Sequence, residues 1–404
     1  MKAEGHSRTE PMRVAFLVQR VGPYHDARLR AHSGRPGQAL HVIEFRPQER
    51  VYAWDPIGTT GGYARTRLGR PEDLEAALDQ IAPAVVVCVG YSDPEIHRAV
   101  RWGMRRGIPL VTCSDSTHED EPRTPTKELL KGAVVAAFDA ALVAGSRSDD
   151  YLRHLGMSGA VRFRAWDVVD NRHFEAGANE ARRAAKALRN TLALPDRYFF
   201  CSARFVAKKN LAGLIQAYGI YLKNAGPAAW SLVVAGSGPL DGALKVQART
   251  AGVGDRIRFP GFLQYQELPA YYGLAEAFVL PSSSDQWGLV VNEAMAAGLP
   301  VLVSSRCGCS ADLVHEGENG FTFNPDDPAA LARVLGDLAG IQPNAREAMG
   351  RQSRRIVAGF APETFADGLT AAVHCASERK PRRRLLTRVL VGLLAARRPG
   401  RDDS

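Results

Sequence analysis

Short runs of apolar residues alternate with helical patterns along positions 12–168. The runs RVAFLV, AVVVCVG and IPLVTCS are apolar almost throughout, which is typical of strands that a sheet buries on both faces. Segments such as EDLEAALDQI and PEIHRAVRWGMRRG separate these runs and have the apolar spacing of amphipathic helices. The pattern therefore predicts an α/β domain with a parallel sheet covered by helices.

A second series with the same alternation begins near residue 198, with runs such as YFFCSARF, SLVVAG and AFVLPS. Between the two series, at about 170–195, lies a polar helical segment followed by a turn that contains proline, a composition that often connects domains. Doubly wound folds bind ligands beyond the carboxyl ends of their strands. We therefore predict two doubly wound domains, at 12–185 and 190–360, with an active site in the cleft between them.

Composition constrains location and partners. No apolar run in the 404 residues approaches the roughly 20 residues that cross a bilayer, and the first residues have no apolar signal segment. We therefore expect a cytoplasmic protein with six reduced cysteines, since Cys307 and Cys309 lack the second ligand pair of a zinc site. The formal net charge of +9 suits an anionic partner, but much of it lies within 378–401, so no nucleic acid partner is expected.

Two acids flank a predicted helix start in SDQWGLVVNEAMAAG. If the helix begins near Gly288, Glu293 lies roughly 7 to 8 Å further along its axis, while Asp285 remains in the preceding loop. A carboxylate accepts hydrogen bonds from two neighbouring hydroxyls, so the two acids could hold a sugar ring and a ribose on either side of a diphosphate. A capping acid at Asp285 and a solvated Glu293 form the alternative interpretation.

Two basic residues, Arg204 and Lys209, follow an apolar strand in CSARFVAKKN and precede an amphipathic helix. Fixed cations at the carboxyl end of a strand can neutralise phosphates without a metal ion. The alternative is that Lys208 and Lys209 form a solvated helix cap. The turn VVAGSGP, with Gly236 and Gly238, also joins a strand to a helix, but it does not match the spacing of a dinucleotide-binding loop.

Residues from about 198 to 325 resemble the C-terminal domain of glycosyltransferase family 4, the retaining enzymes with the GT-B fold. SARFVAKKN resembles the Arg and Lys phosphate motif of that family, VVAGSGP its Gly-Pro turn, RIRFPGFLQYQELPAYYGLAEAFVLPS its base-binding region and DQWGLVVNEAMAAGLPV its motif of two acids. The N-terminal half is similar more loosely, through GPYHDARLRA, IPLVTCSDS and FDAALVAGSRSDDYLRHLG. The resemblance implies an N-terminal acceptor domain, a C-terminal donor domain and a helix at 361–378 that returns toward the N-terminal domain.

The same resemblance assigns roles to individual residues. It implies that Arg204 and Lys209 bind the donor diphosphate and that Glu293 binds the ribose hydroxyls. Asp285 then lies near the transferred sugar, where family members usually have Glu, so the shorter acid puts the sugar identity in doubt more than the reaction. Further donor contacts are implied for Gly236, Gly238, Phe262, Leu263, Gly288 and Leu289.

The N-terminal domain offers fewer candidates. Gly22 follows the first strand and could bring its backbone close to a phosphate. His25 and Asp26 lie at the predicted mouth of the cleft, although a lone histidine near a helix start is more often a cap or a packing residue. Asp115 lies near the point where many family members have a histidine that contacts the donor sugar, and we name it ahead of His118, whose alignment would require a shift.

The resemblance implies retaining transfer of a sugar from a nucleoside-diphosphate sugar to a hydroxyl acceptor, in glycan, glycolipid or glycosylated-metabolite synthesis. UDP-sugars are the first choice of donor on family grounds. No cofactor or metal ion is expected, because no D-x-D motif is present and the paired cations make a metal unnecessary. The alternatives are a GT-B sugar-nucleotide epimerase, which converts its substrate without an acceptor, and a catalytically silent nucleotide-sugar-binding protein.

The basic tail at 379–404 has two interpretations. On a helical wheel, an apolar face lies between clusters of arginine. Peripheral contact with an anionic membrane through residues 381–398 would suit a lipid-linked acceptor. Packing on the protein's own N-terminal domain is the alternative. The apolar face consists of Leu385, Leu386, Val389, Leu390, Leu393 and Leu394.

Overall fold

Two parallel sheets, one in each domain, form the framework of the molecule. The computed structural model describes residues 11–47, 54–58, 62–379 and 385–396. The N-terminal sheet has seven strands and the C-terminal sheet has six, and the strand pairs are parallel throughout. The strands are β1 Met12–Val18, β2 Gln38–Glu44, β3 Ala64–Arg67, β4 Val85–Val89, β5 Leu110–Ser114, β6 Ala140–Val143, β7 Arg162–Arg164, β8 Tyr198–Ser202, β9 Ser231–Ala235, β10 Ile257–Gly261, β11 Ala277–Leu280, β12 Val301–Ser304 and β13 Gly320–Phe323.

Helices connect the strands and cover the sheets. Several begin with proline in the first turn, where a missing backbone N–H leaves no helical hydrogen bond unmade. The α-helices of the described chain are α1 Pro23–Ser33, α2 Leu74–Ile81, α3 Pro94–Arg106, α4 Pro125–Val135, α5 Ser146–His154, α6 Asn171–Arg183, α7 Ala185–Leu192, α8 Leu211–Ala225, α9 Asp241–Thr250, α10 Leu268–Leu274, α11 Leu289–Ala296, α12 Ser310–Leu313, α13 Pro328–Gly340, α14 Pro343–Val357, α15 Pro362–Ser377 and α16 Leu385–Ala395.

The central strands are buried on both faces, as their continuous apolar sequences predict. Every residue of β5, β11 and β12 is buried, and so are the first four residues of β4. Helices on both sides of a parallel sheet exclude water from both of its faces. The predicted fold class, two doubly wound α/β domains that face a cleft, is confirmed.

The order of the strands determines where a ligand can bind. The N-terminal sheet runs β3-β2-β1-β4-β5-β6-β7, and the C-terminal sheet runs β10-β9-β8-β11-β12-β13. The order reverses between β1 and β4 in one sheet and between β8 and β11 in the other, and doubly wound sheets bind ligands at such switch points. The loops after β1, β8 and β11 therefore start at the two switch points, and these loops carry the predicted site residues Gly22, Arg204, Lys209, Asp285 and Gly288.

The chain changes domain earlier than the sequence predicts. Helix α6 packs on α10 and α11 of the C-terminal domain. The contact is close, since a β-carbon at Gly177 would lie 2.6 Å from the Pro269 side chain. By packing, the C-terminal domain therefore begins at about residue 171, within the range 12–185 that we predicted for the N-terminal domain. Helix α15 packs on α1 and against β6 and β7, so the chain then returns to the N-terminal domain.

The last described helix, α16, packs on α3 and α4 of the N-terminal domain. Thr387, Val391 and Ala395 are buried, whereas Val389 and Leu393 are 54% and 66% exposed. Packing on the N-terminal domain thus accounts for one face of α16 and leaves a second apolar face in solvent.

Part of the basic tail lies outside the described residues, namely positions 380–384 and 397–404 and the side chains of Leu385 and Leu386. Within the described ranges, no helix combines the length and apolar character needed to span a membrane.

Candidate active site

The loop after β8 carries the basic residues of the site. Arg204 is half-buried in this loop, and a short 3-10 helix at Ala207–Lys209 follows it. Lys208 is exposed, and the side chain of Lys209 is 14% exposed. The alternative of a solvated cap therefore fits Lys208 but not Lys209.

The glycine turn after β9 supports the basic loop. Gly236 has a φ of +136°, and a β-carbon there would lie 1.8 Å from the carbonyl oxygen of Ala203, so only glycine fits. Gly238 lies against the backbone of Phe205, whose amide donates to the carbonyl oxygen of Ser237 at 2.7 Å. These two glycines thus hold the loop that carries Arg204, and their contact with a nucleotide stays a prediction.

Lys209 and Asp285 form an ion pair beyond the carboxyl ends of β8 and β11. Lys209 Nζ lies 2.5 Å from Asp285 Oδ2. The amides of Ser283 and Ser284 donate to the carbonyl oxygen of Lys208, so the loop after β11 is also joined to the loop after β8 through the backbone. The predicted phosphate cation and the predicted sugar acid are therefore in contact, although 76 positions separate them in the chain.

The helix start predicted near Gly288 is confirmed. Gly288 is the N-cap of α11 and has a φ of +102°, a conformation that favours glycine. The first amides of a helix have no acceptor within the helix. Gly288 and Leu289 therefore stay candidates for donating hydrogen bonds to a ligand, with Asp285 in the loop before them.

Glu293, on α11, is completely buried between two tyrosines. Tyr24 Oη, from α1 of the N-terminal domain, donates to Glu293 Oε1 at 2.5 Å, and Tyr272 Oη, from α10, donates to Oε2 at 2.6 Å. Burial raises the pKa of Glu293 to about 7, although both tyrosine hydrogen bonds lower it. The alternative of a solvated Glu293 is wrong, because its exposure is 0%.

Aromatic rings from both domains surround this contact. The Tyr24 ring lies edge-on to Trp54 and to Tyr265, with ring centroids 6.2 and 5.9 Å apart. Trp54 also lies 5.0 Å from the Phe262 ring. The predicted base-binding residue Phe262 therefore faces the N-terminal domain across the cleft, while Leu263 is buried.

Two carboxylates, those of the half-buried Asp115 and the buried Asp167, lie on the N-terminal side of the cleft. Burial raises the pKa of Asp115, and the nearby carboxylates of Asp120 and Asp285 raise it further. Burial also raises the pKa of Asp167, whose Oδ1 lies 3.2 Å from Arg28 Nη2. The other oxygen of Asp167 is buried without a hydrogen-bond partner among the described residues. An ionised carboxylate accepts hydrogen bonds but cannot donate them. These carboxylates therefore suit a ligand that has many hydroxyl groups to donate.

Gly22 and His25 lie at the start of α1. A β-carbon at Gly22 would be 4.0 Å from Trp54 Cδ1, so Gly22 lies beside the aromatic cluster. Burial lowers the pKa of His25 to about 3, so its imidazole is neutral near pH 7. A neutral histidine can still donate one hydrogen bond and accept another, so the orienting role of His25 stays a prediction.

The side chains of Asp26 and His118 make contacts within the N-terminal domain and not in the cleft. Asp26 accepts a hydrogen bond from Tyr63 Oη at 2.8 Å and pairs with Arg30 Nε at 2.7 Å, all within the N-terminal domain. His118 is exposed and lies edge-on to the Tyr151 ring, 4.9 Å away. Asp26 therefore stabilises its own domain, and Asp115 is the better placed of the two donor-sugar candidates.

A polar cavity of about 220 Å³ opens between the domains. Ser284 Oγ donates to the carbonyl oxygen of Asp120 at 3.3 Å, and Gln286 Nε2 donates to Asp120 Oδ2 at 3.2 Å, so side chains bridge the two domains at this point. Acidic and basic side chains both line the cavity, which suits a ligand that combines hydroxyl and phosphate groups. The lining includes Ser116, Asp120 and Lys131 from one domain and Lys208, Ser284 and Gln286 from the other.

Neither the cysteines nor the acids form a metal centre in the described ranges of the chain. No group of three or more His, Cys, Asp or Glu is arranged there to hold a metal ion. Cys307 and Cys309 are buried free thiols, and burial raises the pKa of both well above the usual range. They are protonated near neutral pH, as expected of core thiols.

Sequence reasoning missed several residues that the structure brings into the cleft. Tyr24 lies in the first turn of the helix that follows β1, and Asp167 lies in the loop that follows β7. Position near the carboxyl end of a strand is the signal that could have found them. Trp54 and Tyr272 carry no such signal, since their neighbours in the cleft are distant in sequence. Arg28 has the spacing of an ordinary helix residue on α1.

The comparisons with known proteins agree with this geometry. Residues 185–356 match the family model described as glycosyl transferases group 1. The chain is 31% identical over 306 residues to the D-inositol 3-phosphate glycosyltransferase of Streptomyces avermitilis, a match that covers 71% of this chain and 63% of that protein. It is 40% identical over 162 residues to the glycogen synthase of Mycobacterium tuberculosis, covering 38% of each protein. The chain thus spans less than two thirds of the length of both relatives.

Solved structures share the whole architecture. The HepE protein of Anabaena in complex with UDP superposes with a TM-score of 0.71 at 16% identity, over 89% of this chain and 98% of that one. The sucrose-phosphate synthase of Thermosynechococcus elongatus superposes with a TM-score of 0.70 at 19% identity, over 89% and 98% of the two chains. The two-domain GT-B fold implied by the sequence resemblance is therefore confirmed.

Proposed function

We propose that the chain, whose residues 185–356 match the family model described as glycosyl transferases group 1, transfers a sugar from a nucleoside-diphosphate sugar to a hydroxyl acceptor. One observation carries the proposal. The loops after β8 and β11 bring Lys209, Asp285 and the α11 acid Glu293 to one wall of the cleft between the domains. One cation and two acids on the same wall match a ligand that has a diphosphate between two polyhydroxylated rings.

The diphosphate binds at the basic loop. Lys209 and Arg204 lie beyond the carboxyl end of β8, where the sheet order reverses, and the glycine turn packs against Ala203 and Phe205 on either side of Arg204. Cations fixed before the reaction stabilise the charge that develops on the leaving phosphate, because they need no reorganisation as the bond breaks. When donor binds, its phosphates take over Lys209 from Asp285, which frees Asp285 to accept hydrogen bonds from the transferred sugar.

The reaction breaks the bond between the anomeric carbon and the β-phosphate oxygen, and the electron pair leaves with the nucleoside diphosphate. The acceptor hydroxyl oxygen forms the new bond to the anomeric carbon, and its proton passes to the departing phosphate oxygen. Attack from the face that the phosphate leaves retains the configuration of the sugar. Lys209 and Arg204 supply the positive charge for this step, so we propose that the reaction needs no metal ion.

The nucleoside binds toward Glu293 and Phe262. A carboxylate on α11 accepts hydrogen bonds from two ribose hydroxyls, and the Phe262 ring and the Leu263 backbone lie where a base can stack and pair. UDP-sugars are the first donors to test. Asp115 and Asp167, which face Asp285 across the cleft, then accept hydrogen bonds from donor-sugar or acceptor hydroxyls.

Peripheral contact with an anionic membrane is part of the proposal. On α16, Val389, Gly392 and Leu393 follow the spacing of one helical face, and this face points away from the buried Thr387, Val391 and Ala395. Leu129 and Leu130 on the neighbouring α4 are 74% and 45% exposed. Between residues 379 and 401 the chain has nine Lys and Arg residues and no acidic residue. An apolar stripe between cationic clusters suits a helix that lies in the headgroup region of anionic lipid.

The membrane contact is tested by vesicle flotation with phosphatidylglycerol and with phosphatidylcholine. We expect binding to the anionic vesicles only, and a loss of about tenfold or more in Leu393→Ser, because a buried leucine side chain contributes about 2 kcal/mol. Val246→Ser is the matched control, since Val246 is 52% exposed on α9 of the other domain. Equal binding of all three proteins would contradict the proposal.

The transferase function is tested with a panel of UDP- and GDP-sugars. We expect slow release of free sugar from at least one donor without acceptor, unchanged when EDTA is present, and a higher thermal midpoint with that donor. NMR of the anomeric proton in the first product formed should show retained configuration. Conversion to another sugar nucleotide would instead indicate an epimerase, and neither turnover nor a thermal shift with any donor would contradict the donor site.

A further inference from the structure

Glu293 forms a hydrogen bond with each domain of its own protein. Tyr24 Oη of the N-terminal domain donates to Glu293 Oε1, and Tyr272 Oη of the C-terminal domain donates to Glu293 Oε2. No part of Glu293 is exposed. We propose that the Tyr24 hydroxyl occupies the position of a ribose hydroxyl of the donor, so that nucleotide binds only after Tyr24 has moved away. This inference rests on the proposed function, because it takes Glu293 as the ribose-binding acid.

The two tyrosines are not equivalent, and only one of them can leave. Tyr272 is fully buried on α10, where its ring packs edge-on against Phe200 at 4.9 Å and Phe174 at 5.9 Å. Removing it from Glu293 would require the C-terminal core to open. Tyr24 is only half-buried, at the start of α1 in the opposite domain, so rotation of its side chain or separation of the domains suffices.

The rings next to Tyr24 extend the same blockage toward the base. Trp54, also from the N-terminal domain, lies against Phe262 at 5.0 Å and against Tyr265 at 6.3 Å. A hydroxyl on the acid and an indole on the aromatic wall resemble, in chemistry and order, the ribose and the base of a nucleoside. The N-terminal domain thus fills the nucleoside half of the donor site with its own side chains, and the diphosphate half stays open at Lys208 and the polar cavity.

Competition between Tyr24 and the ribose lowers the affinity for nucleotide. Apparent affinity falls in proportion to the fraction of molecules in the binding-competent state. A hydrogen bond from tyrosine to a carboxylate is strong enough to favour the closed form by about tenfold. Tyr24→Phe keeps the ring and removes only the competing hydroxyl, so this variant should bind nucleoside diphosphate about tenfold more tightly than the wild type.

The experiment measures UDP and GDP binding by titration calorimetry in the wild type, Tyr24→Phe and Glu293→Ala. Tyr63→Phe is the matched control, because Tyr63 also donates to a carboxylate, Asp26 at 2.8 Å, but within one domain. We expect tighter binding in Tyr24→Phe and unchanged binding in Tyr63→Phe. The Tyr24→Phe change should give no gain in nucleotide affinity when Glu293 is already alanine, because the Tyr24 hydroxyl and the ribose then have no carboxylate for which to compete.

A second ligand isolates the ribose hydroxyls. The 2′,3′-dideoxy form of the bound nucleotide has no hydroxyl to place where the Tyr24 hydroxyl lies and so need not displace it, and Tyr24→Phe should therefore bind this form no more tightly than the wild type does. Where Tyr24→Phe does not fold, Tyr24→Leu removes the same hydroxyl and keeps an apolar side chain beside Trp54. Each of these variants is compared with the wild type by circular dichroism before titration.

The outcomes separate this inference from the function on which it rests. Nucleotide binding that Glu293→Ala weakens and Tyr24→Phe leaves unchanged would overturn the role of Tyr24 and keep the donor site. A gain that persists in the Glu293→Ala background would also overturn it, since the hydroxyl would then act elsewhere. If neither the wild type nor Tyr24→Phe binds UDP, GDP or the dideoxy nucleotides, the donor site itself is rejected, and this inference is rejected with it.

Discussion

The two ends of the cleft use opposite means to prepare for a ligand. At the diphosphate end, Lys209 and Asp285 from one domain form an ion pair beside a polar cavity. At the nucleoside end, Glu293 is sealed by tyrosines from both domains and aromatic rings cover its surroundings. The first end is accessible to a charged ligand as it stands, whereas the second must open before a nucleoside can enter.

The difference has a physical origin. Lys209 and Asp285 carry opposite charges 2.5 Å apart, and each charge compensates the other in the half-buried cleft. Glu293 faces neutral hydroxyls only, and burial therefore raises its pKa to about 7. Recognition at the diphosphate end is thus electrostatic and immediate, and recognition at the nucleoside end is coupled to a change of shape.

The largest effect should come from Lys209→Ala. Loss of a cation that stabilises the leaving diphosphate should lower kcat by about 100- to 1,000-fold, measured as donor turnover under saturating donor. Lys245→Ala is the control, because Lys245 pairs with Asp241 at 2.7 Å on the surface of α9, away from the cleft. Equal activity in Lys209→Ala would remove the phosphate role and, with it, the contrast between the two ends.

Gly236→Ala should destabilise the protein by disturbing the loop at the diphosphate end of the cleft. A β-carbon 1.8 Å from the Ala203 carbonyl oxygen, at a φ of +136°, forces the β8 and β9 loops apart. We expect a loss in unfolding free energy of about 3 kcal/mol or more, in the range of severe steric substitutions, measured by urea denaturation. Gly242→Ala on α9 meets no atom within 4 Å and should leave stability equal or slightly higher. Wild-type stability in Gly236→Ala would show that the basic loop is not held by this turn.

Glu293→Gln should change how the unfolding free energy depends on pH, because Glu293 is buried at the nucleoside end. The folded pKa of Glu293, about 7, lies above the usual glutamate pKa of 4.5, so between these values the folded state binds more protons than the unfolded state. Stability therefore falls as pH rises through this window, by on the order of 3 kcal/mol from this acid. Glutamine does not titrate, so the difference in unfolding free energy between wild type and variant should move against the wild type from pH 5 to pH 8. Parallel curves would contradict the burial of a strained acid.

Asp285→Glu should have the smallest effect. The longer side chain restores the acid that the related family usually has at this position, and it can still reach the Lys209 ammonium, which lies 2.5 Å from the present carboxylate. We expect kcat/KM to change by about threefold to tenfold and to a different extent for different donor sugars, as is typical when one methylene changes in a binding site. A uniform change across all donor sugars would show that Asp285 does not contact the sugar.

Much of the fold was predictable because its signals are local. Continuous apolar strands such as β4 and β5 require cover on both faces, and the alternation with helices requires a parallel sheet. The boundary near residue 171 was not predictable in the same way. The polar sequence of α6 shows that a helix forms, but the small residue Gly177, which lets it pack on Pro269, does not reveal which domain it joins.

The amino-acid sequence by itself determined the two doubly wound domains, the basic loop at Lys209 and the helix start at Gly288, because each depends on neighbouring residues and on backbone preferences. Only the tertiary structure decided the state of Glu293. Its partner Tyr24 lies 269 positions away, in the other domain. A hydrogen bond across a domain interface depends on how the two domains meet, and no local pattern in the chain encodes that arrangement.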